Sequence, residues 1–369
     1  MFSDEHLYSI ALRRCSMVGD GYFKKLIQTE GSAQNIWKTP KNQLQKLYGI
    51  GEKIVKEIGN DEHLKFAEKE LIFCENNNIK VNLKHLGDLP KLLAECENAP
   101  AILYQKGNFD QSKTAISIVG TRNLTSYGKN FIGKFLAETK DYNIQTISGL
   151  ALGADTEVHQ QSLENNIPTT GVLAHGFHML YPSKNKVLSE KILENGGCLF
   201  TEFNTSEKPD REHFIQRNRI VAGLSMTTIV VETAFGGGSI STVGFANSYN
   251  RDVYALPGKI TDKYSQGCNL IISQNKAATI ATVSSLIKDL GLEESPVKLP
   301  QLFPDDEVKI ELSENQQKIY DYIKQHPQIS LDDLAENLEI PVYKIHPILL
   351  EMEILGCIRS LSGRQFQVI

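Results

Sequence analysis

The sequence contains no long run of apolar residues. A helix that spans a bilayer needs about 20 of them in succession, and no stretch of this chain approaches that length. Near the start, Asp4 and Glu5 precede a short apolar run, whereas a secretory signal begins with basic residues. We therefore expect a cytoplasmic protein with no membrane partner.

Clustered cysteines and an excess of positive charge are also missing. The six cysteines are far apart and include no C-x-x-C pair, which argues against a zinc or redox site and favours reduced, mostly buried thiols. The formal net charge is −5, so the chain is not expected to coat nucleic acid or anionic membrane through bulk charge. Any site for a polyanion must be a local patch.

The common signatures of cofactor and metal enzymes are absent as well. The chain has no G-x-G-x-x-G, G-x-x-x-x-G-K-[ST], H-E-x-x-H or G-x-S-x-G. Asp155, His159, His175 and His178 do not form a recognisable set of metal ligands. Glu232 could act as a general base, but no reaction partner is evident, so a hydrogen bond to neighbouring loops is the favoured interpretation. We predict no cofactor, no metal, no catalytic residue and no enzymatic activity.

With 369 residues, the chain is long enough for two or three domains. Residues 1–82 have a helical pattern. Within them, residues 47–53 resemble the hairpin of a helix-hairpin-helix module, although a plain helical hairpin is favoured. Residues 83–291 are predicted to form the main domain, and residues 292–312, rich in proline and acidic residues, are predicted to be a linker.

Residues 313–369 are predicted to form three helices followed by a hairpin that turns near Ser362 and Gly363, the pattern of a winged helix. The last helix carries Glu351 and Glu353 against Lys344 alone, a poor balance for a helix in a DNA groove. We therefore predict a protein-contact or dimer-support role for this domain.

The main domain alternates short apolar strands with helices. Repeated β-α-β units imply a parallel sheet covered on both faces by helices, an α/β fold. In such open sheets the ligand lies beyond the carboxyl ends of the strands. The predicted strands are residues 116–119, 145–147, 169–174, 198–201, 226–231 and 252–255.

Glycines, hydroxyls and cations follow five successive strands, which predicts a polyanion site at one edge of the sheet. In residues 213–242, a basic helix start, an apolar strand and three glycines before the next helix suit a phosphate. An ordinary strand-turn-helix with two surface arginines is the alternative. The candidate residues are Gly120, Thr121, Arg122, Ser148, Gly149, Lys184, Phe214, Arg217, Asn218, Arg219, Gly237, Gly238 and Ser239.

Aromatic residues lie among these cations in the sequence. Tyr181 is near Lys184 and Phe214 is near Arg217, the mixture of rings and positive charge that single-stranded nucleic acid requires. For Phe214 alone, a place in the core is equally compatible. Four cations on phosphates would give a log-log salt slope of about −3, because each contact to a single strand releases about 0.7 counterion.

At these residues the chain resembles the DNA-processing protein A (DprA/Smf) family of bacterial recombination mediators, from about residue 86 to residue 290. Seven motifs in the family's order are far more specific than any one of them. They are IVGTR at 118–122, SGLALGAD at 148–155, HGFHMLYP at 175–182, RNRIVAGLS at 217–225, VVETAFGGGS at 230–239, RDVYALPG at 251–258 and SQGCNLII at 265–272.

The resemblance implies a Rossmann-like domain that binds and protects single-stranded DNA, forms a homodimer and helps to load the RecA recombinase in natural transformation. The helical front and the winged-helix tail fit family members with accessory domains. The residues that match the family's phosphate pocket are Arg122, Ser148, Gly149, Lys184, Arg217 and Arg219, with Phe214 along the same groove.

Three residues depart from the family's usual pattern. Ile215 stands where proline is usual, His178 where aspartate is usual, and Asn275 where glycine is common. These changes bear on local loop geometry and leave the cationic scaffold in place.

Two other functions stay open at this point. The fold also resembles that of phosphoribohydrolases acting on nucleoside monophosphates, whose P-G-G-x-G-T-x-x-E motif is not matched around residues 236–240. The other alternative is an adaptor that uses all of its domains to bind proteins.

Overall fold

The structure, a computed structural model, describes residues 2–45, 51–292, 312–326, 329–361 and 365–368. It divides into two compact units, Met1–Val297 and Lys298–Ile369. The helices of the described residues are all too short or too polar to cross a membrane. All six cysteines are buried thiols.

The first unit begins with a bundle of short helices. Polar side chains cap the N-termini of two of these helices. Ser32 Oγ accepts from Asn35 N at the start of α3, and the Asn60 side chain accepts from Glu62 N at the start of α6. Of the predicted hairpin at residues 47–53, residues 47–50 lie outside the described residues. The helices are α1 (Asp4–Arg14), α2 (Asp20–Glu30), α3 (Ala33–Lys38), α4 (Lys41–Leu44), α5 (Glu52–Glu57) and α6 (Asp61–Asn76).

A nine-stranded sheet follows in the order β1-β2-β6-β5-β4-β3-β7-β8-β9. From β6 to β9 neighbouring strands are parallel, and β2 and β1 add an antiparallel edge. The predicted boundary at residue 82 falls within β1. The strands are β1 (Ile79–Leu83), β2 (Ile102–Gly107), β3 (Thr114–Val119), β4 (Ile144–Ser148), β5 (Thr169–Val172), β6 (Cys198–Thr201), β7 (Thr227–Val230), β8 (Asp252–Ala255) and β9 (Ala278–Thr279).

Helices cover both faces of this sheet, as an α/β fold of the Rossmann-like type requires. Neighbouring residues Ile229 and Val230 of β7 are both fully buried and belong to different core clusters, because side chains alternate between the two faces. The helices are α7 (Lys91–Ala94), α8 (Ser126–Glu138), α9 (Ala154–Glu164), α10 (Lys186–Glu194), α11 (Arg211–Gly223), α12 (Ser239–Ser248), α13 (Gln266–Ser273) and α14 (Val283–Asp289).

The strand order reverses between β3 and β7. The chain runs outward from β3 to β6, and α11 then returns it to the other side of β3, where β7 begins the second half. A crevice forms at such a point, because the loops beyond the two central strands diverge to opposite faces. The candidate residues predicted from the sequence lie at or beyond the ends of β3, β4, β5 and β7 and on α11.

The second unit has the helices and strands of a winged helix. Ser330 Oγ accepts from Asp333 N, and α16 begins at the next residue. The strands pair antiparallel in the order β10-β12-β11, while the predicted turn at Ser362 and Gly363 lies outside the described residues. The elements are α15 (Glu314–Gln325), β10 (Ile329–Ser330), α16 (Leu331–Asn337), α17 (Val342–Ile354), β11 (Ile358–Leu361) and β12 (Gln365–Val368).

Candidate nucleic-acid interface

The loops that follow β3 and β4 interlock. The backbone N–H of Ala154 donates to the carbonyl of Thr121 at 3.0 Å. Gly153 has φ +80°, and a Cβ there would lie 2.4 Å from the Thr121 carbonyl oxygen. A side chain at Gly120 would meet Ala154 Cβ at 2.7 Å. These glycines therefore let two strand ends form one continuous surface.

Ser148 lies at the end of β4 and is fully buried. Its Oγ donates to the carbonyl of Ile118 at 2.7 Å, which ties β4 to the neighbouring β3. The hydroxyl of Ser148, which was predicted to bind a ligand, thus holds β4 against β3. It does not face the crevice as a free donor.

Arg217 extends from α11 beneath the crevice. Its guanidinium donates to the carbonyl of Gly149 at 2.5 Å and also to the carbonyl of Val172, so it joins the ends of β4 and β5. The side chain is buried, and this burial lowers the pKa of Arg217 to about 10, with the nearby Asp155 carboxylate opposing the shift. The guanidinium remains charged at neutral pH, and it supports the floor of the crevice.

Asp155 is the counter-charge of Arg217 in this floor. One of its carboxylate oxygens accepts from Ala151 N at 3.1 Å. Burial raises the pKa of Asp155, while Arg217 acts to lower it. A Cβ at Gly149 would lie 2.5 Å from Arg217 Nη2 and 2.6 Å from Asp155 Oδ2, so a side chain there would require one of the two charged groups to move.

Arg122, Tyr181 and Phe214 come together above this floor. The guanidinium carbon of Arg122 lies 5.1 Å from the centre of the Phe214 ring, within the range of a cation–π contact. The Tyr181 ring meets Phe214 edge to face, with 6.0 Å between ring centres. Arg122 and Tyr181 are exposed and Phe214 is half-buried. We name these three residues the cation–aromatic cluster.

Lys184 is held beside the loop that follows β4. It lies in a single 3-10 turn, Ser183–Asn185, and its side chain is exposed. The neighbouring Asn185 is buried and donates to the Leu150 carbonyl at 2.9 Å and to Thr156 Oγ1 at 2.9 Å. The structure thus fixes the backbone of Lys184 and leaves its ammonium group free to reach an anion.

Asn218 connects α11 to the glycine-rich segment. Its side-chain amide donates to the Gly238 carbonyl at 3.2 Å and to Ser241 Oγ at 2.9 Å. Gly237 is held close to Thr233, whose Oγ1 would lie 2.4 Å from an added Cβ. Ser239 begins α12 and is buried, and its Oγ has no hydrogen-bond partner among the described residues. These four candidates therefore build the start of α12.

The structure does not bring Arg219 to the crevice. Its side chain is 6% exposed and donates to Glu202 at 2.5 Å and to Asp20 at 3.0 Å, the second of which lies at the start of α2. Two residues along a helix correspond to a rotation of about 200°. Arg217 and Arg219 therefore lie on opposite sides of α11.

The other titratable residues near the strand ends are bound within the protein. Glu232 accepts from the backbone N–H of Thr125 at 2.9 Å and from its Oγ1 at 2.6 Å, next to the start of α8. His175 Nε2 accepts from Tyr181 N at 3.0 Å, so its Nδ1 carries the proton and faces the Gly176 carbonyl at 3.0 Å. Buried His159 contacts Thr169 Oγ1 at 2.7 Å. Each of these groups orders a loop or a strand.

Two aromatic residues at this edge of the sheet were not among the predicted candidates. Phe235, which follows β7, is 60% exposed, and Tyr127, at the start of α8, is 48% exposed. Tyr127 Oη donates to the Pro257 carbonyl at 2.8 Å. The position of Phe235 directly before three glycines was the sequence signal that could have identified it.

Family models match both units of the chain. The model of DNA recombination-mediator protein A matches residues 80–291, which is more than half of the sequence. The model of the DprA winged helix domain matches residues 304–364. Both matches cover the parts in which the sequence predicted a Rossmann-like domain and a winged helix.

Individual relatives agree with these matches. Protein Smf of Escherichia coli (strain K12) is 32% identical over 281 residues, which cover 74% of this chain and 73% of that protein. Protein Smf of Synechocystis is 28% identical over the full length of both chains.

Solved structures show the same fold. The X-ray structure of DNA processing protein A from Streptococcus pneumoniae aligns with a TM-score of 0.66 at 27% identity and covers 78% of this chain and 98% of that one. The structure of the Helicobacter pylori protein aligns with a TM-score of 0.51 at 24% identity over 57% of this chain and 95% of that one. By fold, by sequence and by the order of its motifs, the chain belongs to the DNA recombination-mediator protein A (DprA/Smf) family.

Proposed function

We propose that this protein binds single-stranded DNA in the crevice beyond the carboxyl ends of β3, β4, β5 and β7. The observation that carries the proposal is the cation–aromatic cluster of Arg122, Tyr181 and Phe214, at the reversal of strand order in an open α/β sheet. A base can stack on an exposed ring while a guanidinium neutralises the phosphate beside it. The structure of the Helicobacter pylori relative is described by that protein's single-stranded DNA binding mode, which supports the proposal.

Exposed and buried cations have different roles in this proposal. Arg122 and Lys184 are exposed and are assigned to phosphates, whereas Arg217 and Asn218 hold the strand ends and the start of α12 in place. The backbone N–H of Gly238 lies at a helix start, where partial positive charge favours an anion, whereas the N–H of Gly237 donates to the Ala234 carbonyl at 3.0 Å and shapes the turn before α12. Gly120 and Thr121 shape the loop that carries Arg122, and Ser148 and Gly149 shape the end of β4 and the neighbouring loop.

A gel-shift assay with a single-stranded oligonucleotide tests the DNA site. The double variant Arg122→Ala with Lys184→Ala is expected to lose detectable binding, because it removes both exposed phosphate contacts and one side of the Phe214 ring. A matched control is Lys191→Ala with Lys186→Ala, two exposed cations of α10, which should bind as the wild type does. Equal affinity of the site variant and the wild type would refute the assignment.

Beyond DNA binding, we propose that the protein acts as a recombination mediator in the cytoplasm, protecting single strands and helping a RecA-type recombinase to load during natural transformation. Family membership supports the mediator role. A homodimer through the Rossmann-like domain is a further part of this proposal. The test is a nuclease-protection and RecA strand-exchange assay. Addition of the protein should shorten the lag before strand exchange, and the Arg122→Ala/Lys184→Ala variant should not.

We propose that the protein acts without catalysis. The carboxylate at the end of the crevice, Glu232, accepts two hydrogen bonds from Thr125 and orders the start of α8. Incubation with a panel of nucleoside monophosphates, followed by chromatography, is expected to release no free base. Release of a base that depends on Glu232 would favour the phosphoribohydrolase alternative.

A further inference from the structure

Helix α17 of the winged-helix unit has two apolar faces. Ile345, Leu349 and Met352 lie in the core, none of them more than 1% exposed. On the opposite side Tyr343 is 73%, Leu350 52% and Ile354 78% exposed. A helix at the surface of a globular domain normally has one apolar stripe, so the second face requires an explanation.

The exposed face has the spacing of a helix-pairing surface. Tyr343, Pro347, Leu350 and Ile354 follow one another at intervals of four, three and four residues, which is the a/d pattern of a coiled-coil seam. A groove of about 930 Å³ lies alongside, lined by α17 and by Leu331 and Phe366. We name these four residues the α17 seam. Their spacing indicates that the occupant is another helix.

The charges that flank the seam identify which helix fits. Lys344 lies in the first turn of α17, while Glu351 and Glu353 lie in its last turns. This order opposes the helix dipole, which favours acidic residues at the start and basic residues at the end. Residues 313–369 contain eight acidic and five basic residues, a composition unsuited to the phosphates of duplex DNA.

We propose that the α17 seam pairs with the α17 seam of a second copy of this chain, with the two helices antiparallel. In this arrangement Lys344 faces Glu351 of the second copy, and His346 faces Glu353 of the second copy, because e and g positions flank an a/d seam. The acidic end of each helix then lies beside the positive end of the other. A parallel pair would bring four carboxylates together and leave the dipoles uncompensated.

The acidic groups of this pairing are already oriented. Glu353 Oε1 accepts from the backbone N–H of Ser360 at 3.0 Å and from its Oγ at 2.6 Å, which leaves Oε2 available. Glu351 Oε2 accepts from Gln316 at 3.1 Å. These bonds hold both carboxylates beside the seam, so the entropy lost on pairing is reduced.

This interface is distinct from the proposed DNA site and does not depend on it. The thirteen residues of α17 span about 20 Å, so the contact area is small and the affinity of the seam alone is expected to be modest. If a second interface also joins the two chains, the effective concentration of one seam near the other raises its occupancy.

Sedimentation equilibrium of the full chain, at protein concentrations from micromolar to tens of micromolar, tests the pairing. Leu350→Asp places a desolvated charge in the seam and is expected to weaken self-association by at least about ten-fold. The matched control is Ile72→Asp, which also adds a charge at a residue about half exposed (58%), on α6 of the other unit, and should associate as the wild type does. Equal association constants for Leu350→Asp and the wild type would overturn the proposal.

A charge exchange separates a second copy from an unrelated partner. Lys344→Glu alone should weaken self-association, and addition of Glu351→Lys in the same chain should restore it, because each altered charge then faces its complement in the second copy. Failure of the double variant to recover would also overturn the proposal. Single-stranded DNA affinity, measured on the same samples, should stay unchanged in all of these variants, so the result is independent of the DNA site.

Discussion

Gly149 shows how one missing side chain determines the geometry of the candidate site. A Cβ at this position would meet both the guanidinium of Arg217 and the carboxylate of Asp155, and both of these residues are buried. Both charged groups also hold loop backbone, through the carbonyl of Gly149 and the N–H of Ala151. The position of Arg122 above them depends on this floor, so the smallest residue has a large structural effect.

We predict that Gly149→Ala lowers the free energy of unfolding by about 1–3 kcal/mol, because the added methyl group forces Arg217 and Asp155 apart. Urea denaturation followed by circular dichroism measures the change. Gly244→Ala is the matched control: this exposed glycine lies inside α12 with no atom within 4 Å of the added Cβ. It should be neutral or stabilising by up to about 1 kcal/mol, since alanine favours the helix. Equal effects at the two glycines would contradict this description of the floor.

We predict that buried His159 makes the stability of the protein fall in acid. Burial lowers the pKa of His159 from its ordinary value of about 6.5 to about 3. Below pH 6.5 the unfolded chain binds a proton at this residue and the folded chain does not, so stability falls as the pH drops from about 6.5 towards 3. The slope from this one group approaches about 1.4 kcal/mol per pH unit.

The variant His159→Gln should therefore show a shallower loss of stability between pH 6.5 and pH 5 than the wild type. Glutamine keeps an amide that can bond Thr169 but has no proton to gain. Unfolding free energies at three pH values in this window provide the comparison. Parallel slopes for the two proteins would show that His159 is not the group responsible.

At the scale of elements, α11 organises the first unit because three consecutive residues point to three different neighbours. Arg217 supports the crevice, Asn218 holds the start of α12, and Arg219 bonds Glu202 and Asp20. Asp20 also accepts from the backbone N–H of Ala101 at 3.1 Å and from Arg13 at 3.2 Å. Through Asp20, buried Arg219 thus links the helical bundle to the sheet, beside the bond from Thr205 N to Glu70 of α6 at 3.0 Å.

Asp20→Ala should lower the free energy of unfolding by about 1–3 kcal/mol, because it removes a partner of Arg219 and leaves the Ala101 N–H without an acceptor. Affinity for single-stranded DNA should not change, since Asp20 does not contact the cation–aromatic cluster. Exposed Asp141→Ala is the control for loss of a surface carboxylate. If Asp20→Ala reduced DNA affinity without a loss of stability, Arg219 would belong to the DNA site instead.

The limits of the sequence-based prediction also appear at this scale. The strands at residues 198–201 and 252–255 were predicted with their observed bounds, because each is a short apolar run with turn residues on both sides. The order of strand and helix likewise indicated which residues reach one edge of the sheet. Strand β1 was missed because its alternation of buried and exposed residues is brief and follows a helix directly.

The directions of side chains on α11 could not be predicted in the same way. Arg217, Asn218 and Arg219 are adjacent in the sequence, and only the packing of α11 against the sheet decides which side chain faces the crevice. The pairing of Arg219 with Asp20 joins residues far apart in the chain, so no local sequence pattern predicts it. The packing of Phe214 against Arg122 and Tyr181 likewise depends on α11 and two loops that are far apart in the sequence.

For the molecule as a whole, a formal net charge of −5 coexists with a local cationic site. Of the four cations that the sequence assigned to phosphates, Arg122 and Lys184 are exposed, whereas Arg217 and Arg219 are buried and bonded within the protein. The expected log-log salt slope is therefore about −1.4 for two contacts to a single strand, smaller than the value of about −3 for four contacts.

Fluorescence anisotropy with a labelled single-stranded oligonucleotide over a series of salt concentrations, with a duplex of the same sequence as the comparison, tests the central claim most directly. We expect preferential binding of the single strand with a log-log salt slope of about −1.4, and loss of that binding in the Arg122→Ala/Lys184→Ala variant. A slope near zero, or a variant that binds as tightly as the wild type, would contradict it.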